Sequence, residues 1–318
     1  MRRCVFARNS YLLLAAALVV QGCGYRPPRL PDGQVDLEGT WSHKNITPFE
    51  RPVDFKTLVI SPVDASELTR RVLARRENLS KPAEPSLYFW ERSVEPVRGE
   101  YHSSIIIEPA DGHIPGNEHF KSLAKATGAA VLTAFDGPEV RPAAERCLSA
   151  VTAQPPVTVM PSADLRQIVQ TPHAIVIASE ELHEARIIRM DAKHVPAALG
   201  SWLGDSIGWW EGRTLVIETK YFTETSSARM GPASLFFVGP NTTVTERITR
   251  TAVNELLYEF TVDDPTYYTR PWKGETRFGR SSEQMFEFAC HEGNYALTYA
   301  LMGGRAHDAA EAEKQQKH

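Results

Sequence analysis

Apolar and polar residues alternate with a period of two through most of the chain after residue 165. In residues 256–263, Leu256, Tyr258, Phe260 and Val262 alternate with mostly polar neighbours, as a half-buried strand requires. Similar runs predict strands at residues 166–170, 174–179, 183–189, 206–210, 214–219, 243–251, 256–263, 270–278 and 284–291. Short strands at nearly regular spacing favour an antiparallel meander, either closed into a barrel or arranged as a sandwich.

Helical signals interrupt this pattern in the N-terminal half. Asp64 and Glu67 have capping-box spacing before an apolar run, which predicts a helix over residues 65–77. A second helix is predicted over residues 118–127, with Gly128 as its C-terminal cap. A third is predicted to begin at Pro142 and to include Cys147. Strand-like pieces lie at residues 86–91 and 103–108. The expected fold is therefore mainly β, with two or three helices in the N-terminal half.

The beginning of the chain has the order of an export signal. Arg2, Arg3 and Arg8 precede an apolar run of about ten residues, which is too short to cross a bilayer core of roughly 30 Å. The following Val-Gln-Gly-Cys, residues 20–23, is similar to a bacterial lipobox, which implies lipidation of Cys23. Because Gly24 replaces the aspartate that retains lipoproteins at the inner membrane, the resemblance implies outer-membrane sorting, on the periplasmic or surface side. The alternative is a secreted protein in which Cys23 is incidental.

Composition divides the chain into four parts. Residues 1–22 are the predicted lipoprotein signal, and residues 23–35, rich in Pro and Gly, are predicted to form a flexible tether. Residues 36–302 are expected to form one β-rich domain with helical insertions. Residues 303–318 are polar and charged, which predicts a frayed helix or a disordered tail.

Charge and cysteine content exclude some function classes. The 35 Lys and Arg against 39 Asp and Glu give a formal charge of −4, and no basic cluster is present, which argues against a nucleic-acid partner. Of four cysteines, one lies in the signal and one in the lipobox. Cys147 and Cys290 remain, and in an oxidising compartment an even pair favours one disulfide over a free thiolate nucleophile.

Several motifs together resemble a known family. They are DLEGTWSH (36–43), LHEARIIRMD (182–191), GDSIGWWEGRTLVIET (204–219), TVDDPTYYTRPW (261–272) and EFACHEGNYAL (287–297). The series resembles a family of uncharacterised exported bacterial proteins of acidobacterial and sphingomonad type. That family usually has Gly-Arg-Trp-Glu-Gly where this chain has Trp209. The resemblance implies export and candidate positions, but it carries no activity. Separately, Gly39-x-Trp41 is similar to the opening of lipocalin-like (calycin) barrels.

Charged side chains on the predicted strands are the candidates for chemistry: His183, Glu184, Arg186, Glu246, His291 and Glu292. Alternation places Glu184 and Arg186 on one face, where they could bind a carboxylate or form an ordinary cross-strand ion pair. If Glu246 points inward, burial raises its pKa unless Arg186 or Arg270 pairs with it, and such a carboxylate is suited to acid/base chemistry. The alternative is that Glu246 lies at the rim of the sheet.

Aromatic residues are the candidates for binding: Trp209, Trp210, Tyr267 and Trp272. Their broad faces suit stacking on an apolar or aromatic ligand, although a β-core uses the same residues. No cofactor is predicted. A zinc site from His183, His291 and a carboxylate would leave an open position, but no spacing in the sequence demands it.

The sequence leaves three hypotheses for function. The first is a lipid-anchored binding module that holds a small apolar or aromatic ligand, with Arg186 or Glu246 at its polar end. The second is an acid/base enzyme of lyase, isomerase or hydratase type on the same scaffold. The third is a structural protein of the cell envelope.

Overall fold

The structure of the protein is a computed structural model that describes residues 25–79, 92–133, 135–141, 143–149, 152–157, 164–223, 228–231 and 234–316. Within these residues the chain is mainly β, as predicted. The strands are β1 (Gly39–Ser42), β2 (Val59–Ile60), β3 (Tyr101–His102), β4 (Ile106–Glu108), β5 (Leu165–Gln170), β6 (Ala174–Ser179), β7 (Ala185–Met190), β8 (Asp205–Glu211), β9 (Thr214–Lys220), β10 (Ala228–Gly231), β11 (Ser234–Phe237), β12 (Thr243–Ala252), β13 (Glu255–Asp263) and β14 (Trp272–Arg280). The helices are α1 (Pro62–Leu79), α2 (Glu118–Thr133) and α3 (Ala296–Gln316).

Nine of these strands close into a barrel. They follow the order β1, β5, β6, β7, β8, β9, β12, β13 and β14, and β14 pairs back onto β1 with Trp41 opposite Arg280. Strand β4 adds to β14 as a tenth member of the sheet. The barrel alternative of the sequence analysis is therefore confirmed.

The barrel differs from a pure antiparallel meander at one position. Strands β7 and β8 run parallel, with Ile188 opposite Ser206. Parallel neighbours need a crossover connection rather than a tight turn, and residues 191–204 provide one. The alternation of side chains does not encode strand direction, so the sequence pattern could not reveal this pairing.

Aromatic side chains fill one half of the barrel interior. Trp272 is fully buried, and its ring meets Phe49 at 5.8 Å, Phe236 at 5.7 Å and Phe260 at 5.6 Å between centroids, each in an edge-on geometry. Edge-to-face contacts at such distances stabilise aromatic cores beyond the area they bury. This half of the interior is thus a packed core.

A long insertion separates β1 from its barrel neighbour β5. Residues 43–164 contain α1, α2 and the small β2–β3 ladder. Part of the insertion covers the outside of the barrel, where Arg98 bonds Glu259 on β13 at 2.5 Å and approaches Glu275 on β14 at 3.2 Å. The cover explains why Glu275 is buried although it lies on the outer face.

Several predicted elements in the insertion differ from the structure. Helix α2 continues through Gly128 to Thr133, so this glycine is not a cap. Residues 143–147 form turns instead of a helix, while Pro142 and residues 86–91 lie outside the described residues. Of the strand predicted over residues 103–108, only Ile106–Glu108 forms, and it pairs with β14.

The strand predicted over residues 284–291 is wrong. The segment is irregular and ends in turns. Its backbone N–H groups at Phe286 and Phe288 donate to side chains, the Glu180 carboxylate and His183 Nε2, each at 3.0 Å. These N–H groups therefore bond side chains of the turn between β6 and β7 instead of a neighbouring strand.

The two ends of the described chain differ: the first contacts the domain, and the last is a largely exposed helix. Residues 25–35 are not detached from it as a tether would be: Val35 is buried, and Gln170 donates to its carbonyl at 3.1 Å. The polar C-terminal region is helical, since α3 continues to Gln316. Among the described residues, no helix is both long and apolar enough to cross a membrane.

Candidate functional site

Two of the candidate residues meet inside the barrel. Arg186 on β7 and Glu246 on β12 point inward because they alternate with exposed or half-buried neighbours along their strands. Arg186 Nη2 donates to Glu246 Oε1 at 2.9 Å, and Nη1 donates to Oε2. Arg186 is 2% exposed and Glu246 is 0% exposed. Glu246 is therefore an inward carboxylate, paired with the first of the two cations considered from the sequence.

Tyr258 on β13 completes this polar group. Its hydroxyl donates to Glu246 Oε1 at 2.8 Å and accepts the backbone N–H of Val157 at 2.8 Å. Burial, reinforced by the negative charge of Glu246, raises the pKa of Tyr258 well above its usual value. The hydroxyl therefore stays protonated near neutral pH and acts as a donor. Arg186, Glu246 and Tyr258 are called the central triad below.

Burial and charge change the pKa of Arg186 in opposite directions. Burial lowers its pKa, but the charge and hydrogen bonds of Glu246 outweigh this effect and raise it. The guanidinium is thus a fixed cation. Its Nη atoms are bonded to Glu246, whereas the buried Nε–H finds no hydrogen-bond partner among the described residues. A buried donor without a partner costs about 1–3 kcal/mol, so this atom marks a place where an acceptor would stabilise the protein.

A small cavity adjoins the central triad. Its volume is about 20 Å³, enough for one water-sized particle. Trp41, Ile168, Ile177, Ile248 and Phe278 provide most of its apolar wall. The remaining residues that border it are Val157, Arg166, Arg186 and Tyr258. The surface of the cavity is therefore almost wholly apolar, although two arginine residues border it.

Arg166 is the second guanidinium of the cavity. It is 3% exposed and donates to the Thr152 carbonyl at 3.1 and 3.2 Å and to the Asp164 carbonyl at 3.0 Å. Burial lowers the pKa of Arg166 to about 10, and the Asp164 charge opposes part of this decrease. Even so, the group remains a cation at neutral pH.

Residues 152–157 cross this end of the barrel and are called the crossing segment. All six are buried. Thr152 Oγ1 donates to Glu181 Oε2 at 2.7 Å, and the Val157 N–H donates to Tyr258 at the other end of the segment. These bonds hold the crossing segment over the cavity.

The predicted disulfide lies close to the crossing segment in sequence. Cys147 and Cys290 are bonded, with 5.8 Å between their Cα atoms, across 143 residues of sequence. This confirms the structural role of Cys290 over a catalytic one.

The other polar candidates lie outside the interior. His183 belongs to a short 3-10 turn, where a φ of 52° breaks the strand alternation predicted for it, and its Nε2 accepts the Phe288 N–H. Glu184 accepts the Ser149 hydroxyl at 3.0 Å. His291 and Glu292 occupy a turn in the irregular segment. These four residues therefore do not join Arg186 and Glu246 around one reacting position.

The aromatic candidates do not line the cavity either. Trp272 and Tyr267 belong to the aromatic core in the other half of the barrel. Trp210 packs against the core from within, while Trp209 points outward and donates from Nε1 to Glu211 at 3.1 Å. The core interpretation of these residues, left open by the sequence, applies to Tyr267 and Trp272.

Sequence reasoning missed Trp41, Arg166 and Phe278 as cavity residues. A signal was present for Arg166, because it lies on the same strand face as Ile168 and therefore shares an inward, apolar side. Trp41 entered the sequence analysis only through the similarity of Gly39-x-Trp41 to lipocalin-like barrels. No local pattern connects the three, which come from β1, β5 and β14.

A buried histidine lies on the chain just after β1. His43 is 1% exposed, and its Nε2 is 2.9 Å from the Thr276 hydroxyl. Burial lowers its pKa well below the usual value, and the positive charges of Arg166 and Arg92 add to the decrease. His43 is therefore a neutral imidazole near pH 7.

Metal ligands and relatives give no further assignment. Across the described part of the chain, no group of three or more His, Cys, Asp or Glu residues could hold a metal ion. Cys23, the candidate for lipidation, lies outside the described residues. Comparison with protein-family models, curated proteins and solved structures finds no match to this chain.

Proposed function

We propose that this protein is an exported lipoprotein, anchored in the outer membrane through Cys23, that binds a small apolar or aromatic ligand inside its barrel. The observation that carries the proposal is an apolar cavity bordered by Arg186, a buried cation whose Nε–H has no hydrogen-bond partner among the described residues. An apolar ligand with one polar end matches such a wall, because most of its surface is hydrocarbon and its polar atoms are few.

The ligand site differs from the one expected from the sequence. Trp41 and Phe278 replace Trp209, Trp210, Tyr267 and Trp272 as the aromatic surfaces. Arg186 keeps the role of contacting the polar end, while Glu246 holds the guanidinium in place through two hydrogen bonds.

Binding requires the crossing segment to move. The cavity of about 20 Å³ admits a single small particle, so a larger ligand must displace Val157 from the wall. This displacement breaks the Val157–Tyr258 hydrogen bond, which contributes about 1 kcal/mol. The cost is small against the apolar contact that a ligand would gain from Trp41 and Phe278.

The acid/base enzyme has less support from the geometry. Its proton carriers would have to converge, and only Glu246 is in the interior, bonded by Arg186 and Tyr258. His183, Glu184, His291 and Glu292 lie elsewhere. Among the described residues, no contact favours a structural role in the envelope over binding.

Native mass spectrometry of the full chain, purified from the periplasmic side, tests the proposal. We expect a non-covalent organic adduct, or an increase in melting temperature with members of a panel of small aromatic and aliphatic compounds. The double variant Arg186→Met with Glu246→Met should lose both signals. It removes the charged pair that would contact the polar end of the ligand, and it leaves neither charge unpaired. Arg189→Gln, on the outer face of the same strand, is the matched control. Absence of any adduct and of any stabilising compound would refute ligand binding.

A further inference from the structure

Three tight turns lie together at one end of the barrel. They connect β5 with β6, β8 with β9 and β12 with β13, at residues 171–173, 212–213 and 253–254. Strand β1 begins at the same end with Gly39, because it runs antiparallel to β5. This end is called the anchor end below. The chain that leads into β1 therefore reaches the barrel at the anchor end.

Residues 25–38 are bonded to two of these turns. Arg213, in the β8–β9 turn, donates to the Tyr25 carbonyl at 2.7 Å. Gln34 donates to the carbonyl of Thr171, in the β5–β6 turn, at 3.3 Å. The segment thus crosses the anchor end from one turn to another and is held to the barrel on both sides.

The candidate for lipidation is two residues from the first of these contacts. Cys23 precedes Tyr25 by two positions, and two residues span at most about 7 Å even when fully extended. A lipid on Cys23 therefore holds Tyr25, and with it the β8–β9 turn, close to the membrane. A free tether of a dozen residues would allow about 40 Å of separation, but residues 25–35 are bonded to the barrel.

The anchor end exposes cations and an apolar side chain. Arg26, Arg29 and Arg213 are exposed, and among the described residues none of them pairs with a carboxylate. Val253, in the β12–β13 turn, is 61% exposed. Exposed cations are attracted to the phosphates of lipids, and an apolar side chain gains from entering the headgroup region.

Exposed negative charge at the anchor end is smaller. Of the acids in residues 25–38, only Asp32 is exposed. Glu211, next to the β8–β9 turn, is exposed as well, but it pairs with Arg247 at 2.9 Å. The charge that this end presents to its surroundings is therefore mainly positive, which complements an anionic surface.

We infer that the anchor end lies against the membrane surface, with Arg26, Arg29 and Arg213 on the phosphates of phospholipid headgroups. The inference rests on the proposed function, in particular on lipidation of Cys23, and it adds the orientation of the domain. The short reach from Cys23 to the barrel brings this end to the bilayer, and the three cations hold it there.

This orientation directs the cover of the cavity away from the bilayer. Thr152, in the crossing segment, is hydrogen-bonded to Ser179, the last residue of β6, whereas the β5–β6 turn precedes the first. The crossing segment thus lies at the end opposite to the anchor end. A ligand that displaces Val157 therefore enters from the aqueous side.

Photolabelling by phospholipids tests the orientation. The full chain with its lipid is reconstituted in vesicles of phosphatidylethanolamine and phosphatidylglycerol that contain a phospholipid with a diazirine on its headgroup. Peptide mass spectrometry then locates the label. We expect label at residues 171–173 and 253–254, at least about fivefold above residues 265–273 of the opposite end. Equal labelling of both ends, or label confined to residues 25–29, would overturn the orientation.

The mass of the peptide that contains Cys23 separates failure of the anchor from failure of the orientation. A peptide without lipid would refute the anchor and the orientation together. A lipidated Cys23 without preferential label at residues 171–173 and 253–254 would refute the orientation alone and leave the proposed function intact.

A charge variant tests the arginines. Arg26→Gln with Arg29→Gln removes two exposed charges and retains the contact between Arg213 and Tyr25. Each cation near an anionic surface changes the docking equilibrium about fivefold. We therefore expect the label at residues 253–254 to fall at least about fivefold in the same vesicles. Unchanged labelling would overturn the inference.

The matched control removes two charges from the opposite end. Arg270→Gln with Lys273→Gln changes exposed residues just before and within the first part of β14. We expect this protein to keep the labelling of residues 253–254. An equal loss in both double variants would show that net charge alone acts, and would overturn the assignment of the anchor end as the membrane contact.

Discussion

Val157 donates its backbone N–H to the hydroxyl of Tyr258 at 2.8 Å, across 101 residues of sequence. The same hydroxyl donates to Glu246, so one oxygen atom connects the crossing segment with the central triad. Movement of the segment and the arrangement of the polar interior are thereby coupled through Tyr258.

Tyr258→Phe tests this connection. The substitution leaves the Val157 N–H without its acceptor and one Glu246 oxygen without its donor, while the ring still fills its place. Loss of partners for buried polar groups costs about 1–3 kcal/mol. We expect this decrease in the free energy of unfolding by urea denaturation, and faster proteolysis at residues 152–157. Tyr299→Phe, at an exposed position of α3, is the control. Unchanged stability in both proteins would contradict the connection.

The ion pair of Arg186 and Glu246 should behave as one unit. Glu246→Gln leaves a buried guanidinium without its countercharge, which costs about 3–5 kcal/mol. Replacement of both residues by Met removes both charges and keeps similar volume, so we expect a smaller loss than from the single change. A double-mutant cycle on unfolding free energies measures the coupling. Additive losses in the free energy of unfolding would show that Arg186 and Glu246 contribute independently.

The sequence included this ion pair among its alternatives, beside Arg270 as the cation and a rim position for Glu246, because strand faces follow from local alternation. Val244, Glu246 and Ile248 share a strand face, and their burial identifies that face as the inner one. Arg186 follows the same rule on β7. Alternation at residues 284–291 misled because a strand also needs a distant partner strand, and here the backbone N–H groups of Phe286 and Phe288 bond side chains instead.

The cavity could not be predicted in the same way. Trp41, Arg166 and Phe278 become neighbours only through barrel closure, and no spacing within one strand records that contact. His183 shows a second limit, since its left-handed φ ends the alternation that a regular strand would have continued. Local patterns thus indicate which face of a strand points inward. Which residues meet in the cavity depends instead on the curvature and the order of the strands.

Substitutions of the aromatic candidates should differ in their cost in stability, with core residues costing more than surface residues. Trp272 is fully buried among other aromatic rings, so Trp272→Ala should cost about 3–5 kcal/mol of stability. Trp209→Ala, on the outer face of β8, should cost clearly less. Chemical denaturation of the two proteins provides the comparison. A ligand-affinity loss in the Trp209→Ala protein without a stability change would instead restore Trp209 as a binding residue.

The disulfide should stabilise the region that leads into the crossing segment. Cys147 and Cys290 close a loop of more than a hundred residues, and loss of a native disulfide typically costs about 2–5 kcal/mol. We expect the Cys147→Ser and Cys290→Ser double variant to melt at a lower temperature than the oxidised protein. Intact mass under non-reducing conditions verifies the bond through a deficit of about two daltons per disulfide. Equal melting temperatures of the two proteins would show that the disulfide does not stabilise the fold.

His43 should make the protein less stable in mild acid. Burial lowers its pKa in the folded state below the usual 6.5, so the unfolded chain binds the proton more readily. The stability it contributes is complete above pH 6.5 and is lost as the pH falls below that value. His102, whose pKa burial also lowers, acts in the same direction, whereas Glu275, whose pKa burial raises, opposes it.

Urea denaturation from pH 8 to pH 5.5 measures this loss. One proton gives a limiting slope of about 1.4 kcal/mol per pH unit. His43→Gln should flatten the dependence, because the amide can still bond the Thr276 hydroxyl but does not titrate. His307→Gln, which removes an exposed imidazole on α3, is the control. If the His43→Gln protein keeps the full slope, the acid sensitivity arises at another group, and His43 does not need to be neutral for the barrel to remain folded.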